Sequence, residues 1–395
     1  MPEPARVARP LRLVFLFALA WAGGAVAYTP FLTILLPLRV SAIAGPSEGI
    51  AWLAYLSFAG AIAASAGAIG FGYLSDVTRN RRGWILVGLV LSCGLLVASR
   101  AAHGLAELIA VIVLWQLALN MMLGPLAALA AEQVPDSRKG LLGGFLAFAP
   151  GLGALAGALI TQPGLAGADQ RLGLVALMVI GCVAPVLLLR PGQPAKVEAD
   201  DLSAAAPAHY GRATVIRMWL GRLAVQVSEA ALFSYLFFWF RSLDPAMSDN
   251  QVSRIFSVTV LASAPLALLA GRWADRHRRP FLPLVSTAAA SAAGLLGMAL
   301  APSLGLAIAA YALFGVASSI FLAQHSAQTL RVLPQPRRRA RDLGLFNLTN
   351  TVPSLAVPWI ALTLVPTFGF PALFVVLALL AGAAALLLLP LARQS

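Results

Sequence analysis

Only 15 of the 395 residues are acidic, four are histidine and two are cysteine, and each scarcity removes a class of protein from consideration. Cys93 and Cys182 both fall inside apolar runs, so neither a disulfide framework nor a metal-binding spacing is suggested. Both read as small buried hydrophobes. His103, His209, His277 and His325 are scattered among loops and one helix end. Enzyme chemistry needs a clustered nucleophile, base or metal set; the sequence offers none and implies no cofactor. Charged residues make up 11% of the chain and hydrophobic residues 60%, whereas a globular domain carries about a quarter charged and about half apolar. That composition excludes a water-soluble fold and leaves a polytopic membrane protein.

What the chain has instead is long apolar runs. A hydrocarbon core about 30 Å thick takes roughly 20 apolar helical residues per crossing. Twelve stretches qualify, at residues 13–37, 50–74, 84–102, 106–133, 140–161, 172–189, 218–240, 252–273, 281–300, 303–330, 343–366 and 370–391, referred to below as spans 1 to 12. Runs this long and continuous exclude the alternating strands of a barrel, so the fold class is all-α with twelve transmembrane helices. Arg6, Arg9 and Arg12 ahead of the first run resemble the start of a secretory signal. The run outlasts a signal core of roughly 7–15 residues, however, and reads as a retained first span.

Positive charge sets the orientation. Of the 28 Lys and Arg residues, 22 lie at the termini and in the loops of one side, while Arg39, Arg100, Arg171, Arg241 and Arg254 lie on the other and Arg222 falls within span 7. The positive-inside rule then puts both termini in the cytoplasm, in a multi-pass protein of the cytoplasmic (inner) membrane. The net charge of +13 faces the anionic lipids of the cytoplasmic leaflet and carries no implication of nucleic-acid binding.

One short charged motif occurs twice. Gly72-Tyr-Leu-Ser-Asp76-Val-Thr-Arg79-Asn-Arg81-Arg82 is matched 199 residues later by Gly271-Arg-Trp-Ala-Asp275-Arg276-His-Arg278-Arg279. The same offset pairs Ala64 with Ser263, Ala68 with Ala267, and Val134-Pro135 with Leu333-Pro334. The architecture is therefore expected to be duplicated: a six-helix bundle over 1–190, a polar, Pro- and Ala-rich connector over 191–211, and a second bundle over 212–395. In each motif an aspartate sits at a helix end followed by several arginines, and carboxylate and guanidinium can pair there or against a neighbouring helix end. The charges act either as a gate or as topological anchors.

With this doubled loop and Pro135-Asp136-Ser137-Arg138-Lys139-Gly140 after span 4, the whole chain resembles the major facilitator superfamily of secondary transporters. Thr29-Pro30-Phe31-Leu32 to Pro37, the loop ending Arg81-Arg82-Gly83-Trp84-Ile85, and Leu345-Phe346-Asn347 to Asn350-Thr351-Val352-Pro353 are similar to sugar and glycoside symporters within it. The resemblance implies two pseudo-symmetric bundles working by alternating access as a monomer, with a proton gradient as the driving force. It implies a cytoplasmic gate in which Gly72, Asp76, Arg79, Arg81 and Arg82 brace the start of span 11 near Asp342 and Gly344. Gly271, Asp275, Arg276, Arg278 and Arg279 would brace the start of span 5 near Gly140. Pro150-Gly151-Leu152-Gly153 is faintly like the Gly-Pro signature of antiporters, with Ala149 in place of its glycine. Span 2 has no carboxylate above Asp76, so the sodium site of some glycoside symporters has no counterpart.

Polar residues inside spans are functional candidates by default. Span 4 offers Gln116 and Asn120 on one face; span 7 offers Arg222, Gln226 and Glu229 on one stripe; span 10 offers Gln324, His325 and Gln328; span 11 offers Asn347, Asn350 and Thr351. Glu229 is the sole carboxylate near the middle of any span. Burial disfavours a charged carboxylate, so Glu229 reads either as a proton carrier or as a structural partner of Arg222 or Gln226. His325 reads as a proton relay or as a hydrogen-bonded residue near the interface. Trp21, Tyr28, Trp115 and Tyr235 either pack or offer a flat face to a solute, while Trp52 and Trp239 suit interfacial anchoring. Small residues every four positions, Gly60, Ala64, Ala68 and Gly72 in span 2 with Ser263, Ala267 and Gly271 in span 8, give close-packing faces that serve as sliding or static contacts.

These features together predict proton-coupled symport of a small polar organic solute, of sugar or glycoside type. The alternatives are proton-coupled efflux of drugs or metabolites, and a non-transporting membrane solute sensor.

Overall fold

Each apolar run becomes a helix because hydrocarbon offers the backbone no partner but itself. The computed structural model describes residues 4–134, 141–142, 145–146, 148–189, 211–332 and 339–394, and no strand occurs among them. The helices are α1 (Pro4–Pro30), α2 (Leu36–Thr78), α3 (Arg81–Ala98), α4 (Leu105–Gln133), α5 (Ala149–Ile160), α6 (Ala168–Leu188), α7 (Arg212–Leu243), α8 (Asp249–His277), α9 (Leu282–Leu300), α10 (Leu304–Val332) and α11 (Arg339–Gln394). Ten helical stretches among the described residues are long and apolar enough to cross a membrane. The last of these, Val352–Arg393, has 42 residues and breaks at Gly369 (φ 75°, ψ 178°), which separates spans 11 and 12. Helix α5 covers residues 149–160 of span 5. The chain is a multi-pass membrane protein.

Span 1 runs through α1, a π-helical turn at Phe31–Leu35, and the first residues of α2 as far as Gly45 (φ 71°, ψ −179°). Both breaks use a glycine at positive φ, a region closed to most side chains, with Pro46 or Pro371 close behind to stop the helix from continuing. Helix α3 starts on Asn80, whose side chain accepts from the Gly83 amide at 3.1 Å. Helix α8 starts on a Ser248–Gln251 capping box.

The described residues group into two compact units, Met1–Gly45 with Phe58–Ser203, and Pro46–Ser57 with Ala204–Ser395. In the first, α3 packs on α4 and α6, and α1 packs on α4, α5 and α6. In the second, α9 packs on α10 and α11, and α7 packs on α10 and α11. The two packing schemes correspond helix for helix. Gly88 of α3 shows how tight they are: a Cβ there would come within 2.5 Å of the Met122 amide nitrogen. Gly294 of α9 approaches Phe314 of α10 equally closely. The core of the second unit includes Met218, Val225, Leu284, Ala288, Phe321 and Leu388, all fully buried.

The repeated pair on α2 and α8 meets its partner helix in both units, through residues that are 200 apart and so one position out of the repeat. In the first unit, Gly124 of α4 lies against the Ala68 carbonyl and the Gly72 amide of α2. In the second, Gln324 of α10 lies against Gly271 and donates its Nε2 to the Ala267 carbonyl of α8 at 2.6 Å. Ala68 and Gly72 are Ala267 and Gly271 one repeat earlier. An amide fills the gap in one unit and a glycine closes it in the other.

Candidate functional site

The polar stripe of α7 is the most chemically loaded feature of the second unit. Arg222, Gln226 and Glu229 follow at intervals of four and three, so they share a face and span about 10 Å along the axis. Glu229 is half-buried and makes no hydrogen bond or ion pair among the described residues. Arg222 lies two turns earlier on the same face. The Gln226 Oε1, the Tyr235 hydroxyl and the Gln328 Oε1 are each buried with no hydrogen-bond partner among the described residues. Buried polar atoms are nearly always paired, so such atoms mark positions where a ligand or a moving group completes the bonding.

Arg222 is held from α10. Its Nη1 donates to Ser326 Oγ at 3.0 Å and lies 3.4 Å from His325 Nδ1. His325 is fully buried, with Nε2 at 2.9 Å from the Met218 carbonyl and Nδ1 at 3.1 Å from Thr329 Oγ1. A carbonyl only accepts, so Nε2 carries the proton and Nδ1 faces Arg222 as an acceptor. The histidine expected near an interface is thus built into the packing between α7 and α10.

Other expected residues are placed differently. Gln324 donates to Ala267, as described above. Gln116 is buried, with its side chain facing Gly60 of α2. Asn120 donates Nδ2 to the Gln116 carbonyl of its own helix at 2.9 Å, with its Cβ side toward Gly67. Asn347 and Asn350 belong to α11, but their side chains lie outside the described residues.

Next to Gln116, the Trp115 ring is fully buried. It stacks on Tyr28 (centroids 6.4 Å apart, 18°) and meets Phe31 edge-on at 4.8 Å; its Nε1 has no hydrogen-bond partner. Tyr28 and Phe31 flank Pro30 where α1 passes into the π-turn, a widened turn of the kind found at functional sites. Thr33 Oγ1 donates to the Thr29 carbonyl at 2.7 Å within that turn. A Cβ on Gly153 of α5 would come within 2.6 Å of the Ala25 carbonyl and 2.8 Å of Thr29 Oγ1, so α5 abuts the same region.

The first charged loop closes on itself. Arg81 Nη2 lies 2.8 Å from Asp76 Oδ1, its Nε donates to Glu132 Oε1 of α4 at 2.9 Å, and its Nη1 donates to the buried Ser75 Oγ at 3.1 Å. Trp84 Nε1 donates to Thr78 Oγ1 at 2.8 Å, bridging α3 to the end of α2. Ser75, Asp76, Arg81 and Glu132, with Arg79, Asn80, Arg82 and Leu129, line a cavity of about 450 Å³. Glu132 was not among the expected site residues, although a carboxylate ending a long apolar run two residues before Val134-Pro135 was a visible cue.

The second loop departs from the first. Position 280, one repeat after Arg81, is proline. Asp275, Arg276, Arg278 and Arg279 are exposed. Trp273 stacks on His277 at 4.5 Å, and His277 Nδ1 lies 2.9 Å from the Trp273 carbonyl. Of the expected brace partners, Gly344 belongs to α11, while the Asp342 side chain and Gly140 with the 135–140 motif lie outside the described residues. Among the described residues no three His, Cys, Asp or Glu side chains gather where they could hold a metal ion.

Comparison with known proteins follows the same division. Residues 218–395 match the family model described as Major Facilitator Superfamily. No curated sequence matches the chain. The chain is similar in structure to a bacterial homolog of the human lysosomal transporter Spinster, in its inward-facing and unoccupied conformation. The TM-score is 0.67 at 15% identity, covering 100% of this chain and 96% of the other. The occupied form of the same homolog gives 0.68 over the same shares at 15% identity. The human organic anion transporter MFSD10 (TETRAN) gives 0.66 at 15% identity, covering 96% of this chain and 99% of that one.

Proposed function

We propose that this chain, which has the fold and, over residues 218–395, the sequence signature of the Major Facilitator Superfamily, is a secondary transporter and not an enzyme. It moves a small polar organic solute across the cytoplasmic membrane by alternating access, as a proton-coupled symporter with both termini in the cytoplasm. The observation that carries this reading is Glu229, a half-buried carboxylate on the Arg222–Gln226–Glu229 stripe with no hydrogen bond or ion pair among the described residues. A carboxylate inside a span is a functional candidate by default, and this one shares its face with Arg222 and Gln226. Protonation and solute binding are thereby linked through one stripe.

In the second unit Gln226 and Tyr235 are suited to hydroxyl groups, and in the first the Trp115–Tyr28 face is suited to a flat apolar surface; each is in keeping with the sugar or glycoside class implied by the motifs. Asp76, Arg79, Arg81 and Arg82 in one loop, with Asp275, Arg276, Arg278 and Arg279 in the other, form the cytoplasmic gate in this reading. The rival is proton-coupled efflux, favoured by the close approach of Gly153 in the Pro150–Gly153 run to α1.

The test is transport into vesicles of defined orientation with and without an imposed pH gradient, in wild type and Glu229→Gln. Symport predicts accumulation in the direction of proton entry, and loss of pH dependence in the variant. Accumulation against proton entry supports the efflux reading, and uptake that keeps its pH dependence in Glu229→Gln removes the role of Glu229.

A further inference from the structure

The ends of α2 and α4 and the start of α3 enclose a cavity of about 450 Å³ whose lining carries three guanidinium groups and two carboxylates. Both carboxylates are committed to Arg81, which lies 2.8 Å from Asp76 Oδ1 and donates to Glu132 Oε1 at 2.9 Å. Arg79 and Arg82 are left over. Neither side chain makes a hydrogen bond or ion pair among the described residues, and Arg82 is half-buried. Asn80, between them, uses its Oδ1 to accept from the Gly83 amide at 3.1 Å, which leaves its Nδ2 as a third donor at the cavity.

The backbone under these groups is fixed. Arg79 ends α2 in the left-handed conformation, and Trp84 Nε1 donates to Thr78 Oγ1 across the turn. Arg82 lies in the first turn of α3, where the helix dipole favours negative charge. In the second copy of the motif Pro280 stands where Arg81 would, and Arg278 and Arg279 are exposed.

Two guanidinium groups and an amide donor suit a tetrahedral oxyanion, because each guanidinium offers parallel donors to two phosphate oxygens. The cavity is far larger than a lone phosphate, so it has room for a substituent. Ile69 and Tyr73, both exposed, share a face of α2 with Asp76 at intervals of four and three, and lead an apolar stripe to the cavity. We propose that this cavity binds a phosphate ester, with the phosphate on Arg79, Arg82 and Asn80 Nδ2 while Arg81 neutralises Asp76 and Glu132. The phosphate belongs to a phospholipid headgroup, with an acyl chain on the Ile69–Tyr73 stripe, or to a soluble ester. The site requires no part of the transport reading.

The test uses purified full-length protein in non-ionic detergent at constant ionic strength, with probes matched but for the phosphate. These are dioctanoyl phosphatidylglycerol against dioctanoylglycerol, and glycerol phosphate against glycerol. A ligand that binds only the folded state raises the unfolding temperature. In at least one pair the phosphate-bearing member is expected to raise it and its partner not. Arg79→Gln combined with Arg82→Gln should abolish the response, whereas Arg278→Gln combined with Arg279→Gln, which removes the same charge from the other loop, should keep it. Arg82→Lys retains the charge without the paired donors and is expected to weaken binding by roughly tenfold, as for loss of a hydrogen bond to a charged group. Should the first double variant fail to fold, the matched probes on wild type, Arg82→Lys and the Arg278–Arg279 variant decide the matter. Phosphate-free probes that stabilise as well as their partners, or no response in wild type, would overturn the site. So would a response retained without Arg79 and Arg82, undiminished in Arg82→Lys, or lost without Arg278 and Arg279. Stabilisation by phosphatidylglycerol alone assigns the phosphate to lipid, and stabilisation by glycerol phosphate assigns it to a soluble ester; both uphold the site.

Discussion

Arg79 and Arg278 lie 199 residues apart and adopt the same left-handed backbone, at φ 51°, ψ 23° and φ 55°, ψ 32°. They are the two non-glycine residues with positive φ among the described residues. Each ends the helix that carries its copy of the charged motif, so the duplication reaches down to a backbone conformation unfavourable for an L-residue.

That conformation costs an arginine about 1–2 kcal/mol, part of which glycine regains after its own entropy loss. Arg79→Gly and Arg278→Gly are each expected to raise stability by about 0.5–1 kcal/mol in thermal unfolding. If the loops act as a gate, the same substitutions lower the transport rate. A fall in unfolding temperature would mean that the arginine side chains stabilise the loop by more than the backbone conformation costs.

Arg81 serves two carboxylates at once, and both are more than half exposed. Exposed pairs contribute about 0.2–1 kcal/mol each, so Asp76→Asn and Glu132→Gln should each destabilise by that order. Arg81→Ala should cost about as much as the two together. A double-mutant cycle in chemical denaturation checks this: in the Arg81→Ala background neither carboxylate substitution should have a further effect.

Gly88 and Gly94 share helix α3 but not its surroundings. A Cβ at position 88 meets α4 backbone at 2.5–2.9 Å, whereas at position 94 it meets nothing within 4 Å. Gly88→Ala is expected to destabilise by about 1–3 kcal/mol through overpacking. Gly94→Ala should be neutral or stabilise by up to about 1 kcal/mol through helix propensity. Thermal unfolding of the two variants side by side tests the α3–α4 approach.

Gln324 bonds the α8 backbone, so its substitution should act on stability. Gln324→Leu removes the donor to the Ala267 carbonyl and is expected to destabilise by about 1–2 kcal/mol. Gln324→Gly removes the amide and leaves space beside Gly271, and should retain transport. Loss of solute binding in both variants, with unfolding temperature unchanged, would return Gln324 to the binding site.

Span lengths were legible in the sequence because bilayer thickness fixes them, and the duplication was legible because its charged motif stands out against apolar surroundings. The breaks at Gly45 and Gly369 follow from glycine and proline chemistry that can be read locally. The roles of side chains were less accessible. Arg81 meets Glu132, 51 residues away, and Arg222 meets Ser326, 104 residues away; both pairs depend on how neighbouring helices are rotated against each other. Gln324 was recognisable as costly in a span, yet only the gap beside Gly271 shows where its amide goes. The π-turn at Phe31–Leu35 is a shift in hydrogen-bond register, and residue type alone does not encode it.

Proton movement accompanying solute entry tests the central claim most directly. In proteoliposomes without an imposed pH gradient, adding a transported solute outside wild-type protein should alkalinise the external medium as protons are carried in. Glu229→Gln should still exchange solute between the two sides but give no pH change. Solute uptake by wild type with no accompanying proton movement, or an undiminished pH change in Glu229→Gln, would contradict proton coupling through this carboxylate.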